Sequence, residues 1–195
     1  MATTYFGYCD PDTGAPSETT SINLNDELYW GHNGYVCPGT GAQAIVDFGI
    51  YTQTGGNILV AIYNASDQLV VSGTSEKAKS GTSGWLLWVP GELTWSIGTA
   101  LTGGATYTIA VTSDAAVNIL GGTSRPAGSL AYTSGDYTAG MPDPLPSHSL
   151  YTYEPAARCG VEPAAGGEVN VSAYSTYFAN MRLRNKMHTD DSDLF

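Results

Sequence analysis

Cationic side chains are the scarcest feature of this chain. Seven Lys and Arg stand against eighteen Asp and Glu, a formal net charge of −11 at pH 7. Residues 1–76 carry no Lys or Arg and eight Asp or Glu. Nucleic-acid binding needs cations that displace counterions from phosphates, and an anionic membrane repels an acidic surface. Both partners are therefore excluded. Charged residues of either sign make up only 13%, against about 25% in a typical soluble domain. Leu, Glu and Lys are too few for a helical bundle, and aromatic residues too many for a disordered chain. Apolar runs such as Ile58–Tyr63 are strand-sized, far short of the roughly 18 residues that a membrane helix needs.

Cysteine is confined to Cys9, Cys37 and Cys159. An odd count without C-x-x-C spacing argues against a disulfide framework or a zinc site. Three reduced thiols are expected, with a Cys9–Cys37 bond left open if the N-terminal segment folds back. The first ten residues hold neither a basic n-region nor an apolar h-region, so no secretory signal is expected.

Catalytic motifs are missing as well. There is no G-x-S-x-G, no phosphate-binding loop and no H-E-x-x-H. His32, His148 and His188 are far apart, each in a turn or tail. A glycosidase needs two facing carboxylates, for which Asp26, Glu27 and Asp47 are the candidates. Turn solvation explains these acids equally. The stretch Asp10–Glu18 superficially suits a calcium loop, but Gly14 stands one position early, and Pro11 and Pro16 interrupt it. A turn without metal is expected there. No catalytic residue, metal or cofactor is expected.

The chain is instead rich in Gly (24) and Tyr (13). Short β-rich runs alternate with Gly, Asn, Asp and Ser turns. The strands expected are 21–28, 44–51, 57–63, 68–72, 85–89, 93–97, 106–111 and 116–120. Their spacing of roughly 8–14 residues marks an all-β sandwich or barrel. Residues 123–168 hold six prolines, which suits ordered loop or edge strand. Short strands are expected there at 129–132 and 149–153. Residues 168–178 resume alternation and read as a closing strand. The organisation expected is an N-terminal arm (1–19), one antiparallel β-sandwich domain (20–184) with a Pro/Gly-rich insertion around 123–168, and a C-terminal tail (185–195).

A series of local features carries a resemblance. These are Val46-Asp-Phe-Gly-Ile-Tyr51, Val60-Ala-Ile-Tyr-Asn-Ala-Ser-Asp67, Gly84-Trp85 opening a strand, and Thr102-Gly-Gly-Ala-Thr-Tyr-Thr-Ile-Ala-Val111. Together they resemble the jelly-roll, carbohydrate-binding-module-like domains of bacteriophage tail and structural proteins and of bacterial surface proteins. Tyr137–Pro146 is similar to the Pro-rich loop before their last strand. The resemblance implies a fold and no particular ligand residue.

The aromatics are the candidate contacts. Trp85 and Trp88 are three apart and should face opposite sides of a strand. Trp95 should share a core face with Leu93 and Ile97. Trp30 sits in an expected turn beside Gly31. Trp30, Tyr35, Tyr137, Tyr151 and Tyr153, with the terminal Leu194 and Phe195, are the expected interface or glycan contacts, since Tyr and Trp serve both. Arg182, Arg184 and Lys186 precede Asp190, Asp191 and Asp193, so the tail reads as solvated or as an arm docking on a neighbour. An extracellular type of composition without a secretory signal suits a virion protein. The expectation is a non-enzymatic structural protein of a tailed bacteriophage, in capsid decoration or tail fibre. It would assemble with itself and other virion proteins, the alternative being a module for host surface glycan.

Overall fold

The computed structural model describes residues 2–16, 20–24, 27–31, 34–53, 56–113, 117–122, 130–134 and 140–165. The chain divides into Met1–Ala164 and Ala165–Phe195, and the fold is that of the first unit. It is all-β. Two antiparallel sheets pack together as a sandwich, and the described residues include one 3-10 turn, Pro90–Glu92, and no α-helix.

The first sheet is built around β5 (Gly41–Thr52). β17 (Ala157–Pro163) lies beside it, then β1 (Thr4–Phe6). β5 also pairs with β9 (Gly84–Trp88), with β11 (Leu101–Gly103) and, at Thr52, with β13 (Val117–Gly122). β13 carries β2 (Thr20–Leu24) and β16 (Glu154–Pro155). The second sheet runs in the order β10 (Leu93–Trp95), β7 (Leu69–Gly73), β6 (Asn57–Asn64), β12 (Thr106–Ser113), β3 (Glu27–Gly31), β14 (Leu130–Ser134), β15 (Ser149–Tyr151). β4 (Tyr35–Val36) pairs with β12, and β8 (Lys77–Ala78) with β6.

Phe48, Ile50 and Trp88 from the first sheet meet Ile58, Val60, Ile62, Val111 and Leu130 from the second in the main core. The apolar run of β6 buries both its faces. Ile58, Val60 and Ile62 point into the main core, while Ala61 and Tyr63 join Leu28, Trp30, Ala110 and Ala131 in a second cluster. A strand with two buried faces loses its alternation, which is why Ile58–Tyr63 reads as continuous apolar sequence.

The Pro-rich segment covers that second face. Met141 and Leu145 pack on it. Tyr63 Oη donates to the Pro142 carbonyl at 2.7 Å, and the Leu69 N–H donates to Asp143 Oδ1 at 2.9 Å. The Leu145 N–H donates to the Asp67 carbonyl at 2.9 Å. Strand register sets Ala61, Ala110, Trp30 and Ala131 in one row across four strands. The three alanines leave room for the strap and for the indole.

Three expectations change here. Residues 4–16 do not form a separate arm: Thr4–Phe6 is a strand of the first sheet, Phe6 is buried, and residues 9–16 turn back through a Cys9–Pro16 bridge. The single strand expected over 21–28 is two strands in different sheets. Ala157–Pro163, expected as ordered loop or edge strand, is paired on both sides, with β1 and β5. The closing strand at 168–178 and the tail lie outside the described residues.

The turn at Asp10 satisfies itself. Asp10 Oδ1 accepts from the Asp12 N–H, the Thr13 N–H and Thr13 Oγ1, which holds its carboxyl below the usual range. That oxygen serves as the turn's own cap.

All three cysteines are free thiols, Cys37 and Cys159 buried and Cys9 half-buried. Burial pushes Cys9 up to about 12 and Cys37 up to about 11, and raises Cys159 well above its ordinary value. Thiolate is the reactive form. Maleimide labelling at pH 8 is therefore expected to run at least ~100-fold slower in native protein than in urea. Equal rates would contradict this placement.

Candidate functional site

The first sheet's outward face carries a largely buried ion pair. Between Gly160 and Val161 the register of β17 against β5 shifts, so Gly160 faces Asp47 while Val161 faces Ile45. Such a bulge re-aims the side chains beyond it. Ile45 and Phe48 are both buried, while Asp47 turns outward to Arg158. Arg158 Nε lies 3.2 Å from Asp47 Oδ1 and Nη2 lies 3.0 Å from Oδ2. Nη1 donates to the Gly14 carbonyl at 3.1 Å. The guanidinium is held between two rings, 4.9 Å from the Tyr5 centroid and 4.7 Å from that of Trp85. Gly49 stands opposite Arg158, and a Cβ there would fall 2.1 Å from the Leu86 carbonyl oxygen. All three guanidinium nitrogens of Arg158 bond within the chain, so the cluster acts as a clamp on residues 5–14. The Asp47 carboxylate is thus held by Arg158 on both oxygens.

A different surface gathers the sequence candidates. At one end of the second sheet, Tyr29 and Tyr132 stack at 5.8 Å, Tyr132 and Tyr151 at 4.5 Å, and Tyr151 and Tyr153 meet at 5.8 Å. Cross-strand pairing explains the ladder: Tyr29 faces Tyr132, and Tyr132 faces Ser149, two residues before Tyr151. Exposure rises from Tyr29 to Tyr151. Tyr29 is buried, Tyr132 and Tyr153 are half-buried, and Tyr151 is 44% exposed. Tyr35 joins the same end, its Oη donating to Glu154 Oε1 at 2.6 Å. β15 is the last strand of the main path, and all three of its residues are exposed. Beside it lies an open cleft of about 260 Å³ lined by Tyr132, Thr133, Ser147, His148 and Ser149.

The structure thus unites Tyr35, Tyr151 and Tyr153. It separates Trp30 from them. Trp30 is not a turn residue on the surface but the fourth residue of β3, 2% exposed, facing the strap with its ring 5.1 Å from that of His148. Position 31, the last of that strand, has no room for a side chain, because the Tyr35 hydroxyl lies 2.7 Å from where a Cβ would be. Tyr137, Leu194 and Phe195 lie outside the described residues. Sequence reasoning missed Leu150 and did not join Tyr132 to Tyr151. The signal was the alternation of residues 129–132 and 149–153, which pairs as a hairpin once the intervening loop closes.

No family model matches this chain, and no curated protein and no solved structure matches it either. The chemistry of the site therefore rests on its residues. It offers phenol hydroxyls, serine and threonine hydroxyls, one imidazole and an exposed leucine. Among the described residues no three His, Cys, Asp or Glu side chains converge as for a metal ion. What the arrangement can do is stack, hydrogen-bond neutrally and extend a sheet.

Proposed function

We propose that this chain is a non-enzymatic structural protein of jelly-roll type, a virion component of a tailed bacteriophage that works by protein–protein assembly. The observation that carries the assembly reading is strand β15. Among the described residues it ends a sheet, and its Leu150 and Tyr151 are 50% and 44% exposed. Natural sheet edges are protected by charge, proline or cover, because bare edges recruit further strands. An exposed leucine on such a strand is a ready contact for another protein surface. The family resemblance and the acidic, Gly- and Tyr-rich composition support the virion setting.

Light scattering on the purified full chain tests this. A defined oligomer is expected, and Tyr151→Asp should shift it toward smaller species by placing charge in the contact. A variant lacking residues 185–195 asks whether the tail takes part. Residues 1–16 stay in place, since trimming them would remove a strand. A monomer at every concentration, which also fails to join purified virion proteins, would sink the reading.

The hydroxyl-lined cleft beside Tyr132 favours a second reading, glycan binding for host or surface recognition. Sugars stack on aromatic faces and hydrogen-bond to such hydroxyls. A glycan array decides it, with Tyr132→Ala as the control. Specific binding lost in that variant would establish the glycan reading.

A further inference from the structure

We propose that Tyr132 and Tyr151 are a modification site, where a peroxide-derived one-electron oxidant forms a dityrosine bond within one chain. This goes beyond the assembly reading and holds whichever partner the chain has.

Strand register brings the two rings together. β14 and β15 pair antiparallel, with Tyr132 opposite Ser149 and Leu130 opposite Tyr151. Tyr132 and Tyr151 are therefore diagonal neighbours on one face of the strand pair, a spacing that aromatic side chains span. The small Ser149 leaves room for the Tyr132 ring to lean toward Tyr151. The two rings stack with centroids 4.5 Å apart and planes 18° from parallel. That is the short end of the range for aromatic pairs, about 4.5–7 Å. The Tyr29–Tyr132 and Tyr151–Tyr153 contacts are longer, at 5.8 Å each.

Exposure sets the order of events. Tyr151 is 44% exposed, Tyr132 is half-buried and Tyr29 is buried. An oxidant therefore meets Tyr151 first, while Tyr132 is held by stacking against both of the others. Tyr151 loses one electron and its phenolic proton and becomes a phenoxyl radical. Transfer of an electron and a proton from the stacked Tyr132 restores Tyr151 and moves the radical inward. A second one-electron oxidation of Tyr151 leaves two radicals side by side. Their unpaired density lies partly on the ring carbons ortho to oxygen, and one such carbon from each ring forms the new C–C bond. Each ring then moves the proton of its bonded carbon to its oxygen and is aromatic again. The two tyrosines give up two electrons and two protons in all, which reduce one hydrogen peroxide to two waters. The bond closes a covalent ring around residues 133–150, the stretch that holds Met141 and Leu145 over Trp30. The strap is then tied at both ends.

Peptide mapping tests this on the full chain, treated with a haem peroxidase and hydrogen peroxide and then cleaved before aspartate. Asp136 and Asp143 lie between the two tyrosines, so Tyr132 and Tyr151 fall on different peptides unless they are bonded. The expected result is monomeric protein with dityrosine fluorescence, in which tandem mass spectrometry finds these two peptides joined with the loss of two hydrogens as the main product. Tyr132→Phe and Tyr151→Phe keep a ring in place but should lose that product almost entirely, and Tyr153→Phe should retain it. Peptides that stay separate after oxidation overturn the proposal, whether dityrosine forms at other pairs or not at all. A product that survives in Tyr151→Phe, or vanishes in Tyr153→Phe, overturns it as well. Cross-links found only between chains also overturn it, and would speak for self-assembly instead.

Discussion

Replacing Arg158 by alanine is expected to lower the unfolding free energy by about 3–5 kcal/mol, as breaking a buried ion pair from one side does. The side chains of Arg158 and Asp47 are only 12% and 15% exposed. Alanine would leave the Asp47 carboxylate without its two donors, strip the Gly14 carbonyl of its partner and remove the cation held between the Tyr5 and Trp85 rings. Lysine preserves the charge but not the fork, so Arg158→Lys should recover less than half of the loss. Asp47→Asn in an Arg158→Ala background should cost little more, because the two groups act on each other. Urea unfolding followed by tryptophan fluorescence measures all four corners of this cycle. A loss under about 1 kcal/mol for Arg158→Ala would mean that solvent replaces the clamp, as at an exposed pair.

Trp30→Ala is expected to cost a similar amount, about 3–5 kcal/mol, the range for deleting a buried large aromatic side chain. The indole floors the strap, and no small rearrangement of the alanines beside it can fill its volume. The loss should also be local. Hydrogen exchange at the Leu145 amide, which the strap donates to the Asp67 carbonyl, should accelerate more than exchange at β17. A surface contact residue would behave in the opposite way, changing binding at unchanged stability. That second pattern would contradict the buried position of Trp30. For this reason Trp30→Ala is a poor control in any glycan experiment, and Tyr132→Ala the better one.

Much of the sandwich was readable from local pattern. β5, β6, β7, β9, β12 and β13 fall where β-rich runs end in Gly, Asn or Asp turns. The opposed tryptophans also came out as spacing demands, Trp88 fully buried and Trp85 turned outward to Arg158. Trp95 and Leu93 are half-buried against the core, but the strand ends at Trp95 and Ile97 is 43% exposed. Other features depend on partners far along the chain. Alternation over Ser21–Leu28 is the same whether one strand continues or the chain changes sheet, and only the turn-forming Asn25-Asp26 hinted at the break. Pro155 and Pro163 frame Ala157–Val161 and suggested loop. Yet Ala157, Cys159 and Val161 point inward at period 2, and a proline at a strand's end costs no ladder bond.

The candidate site was only partly legible for the same reason. Tyr151 and Tyr153 stand in a visible alternating run. Tyr35 joins them through Glu154, 119 residues later. Trp30 misled because a residue before Gly looks like a turn, while the strap that buries it is written in a Pro-rich segment more than 100 positions away.

The pairing of β1 with β17 has a consequence for synthesis. Thr4 finds its partner only at Val161, and the Gly14 carbonyl waits for Arg158. Residues made early are therefore among the last to settle. Closing so long a loop before any contact rewards it places the fold among the slow, high-contact-order β proteins, with times of roughly milliseconds to seconds. The adjacency also brings positions 4 and 161 together in space. Joining them through a short linker, with new ends cut in an exposed turn such as Ala65–Asp67, would turn the slowest contact into the most local one.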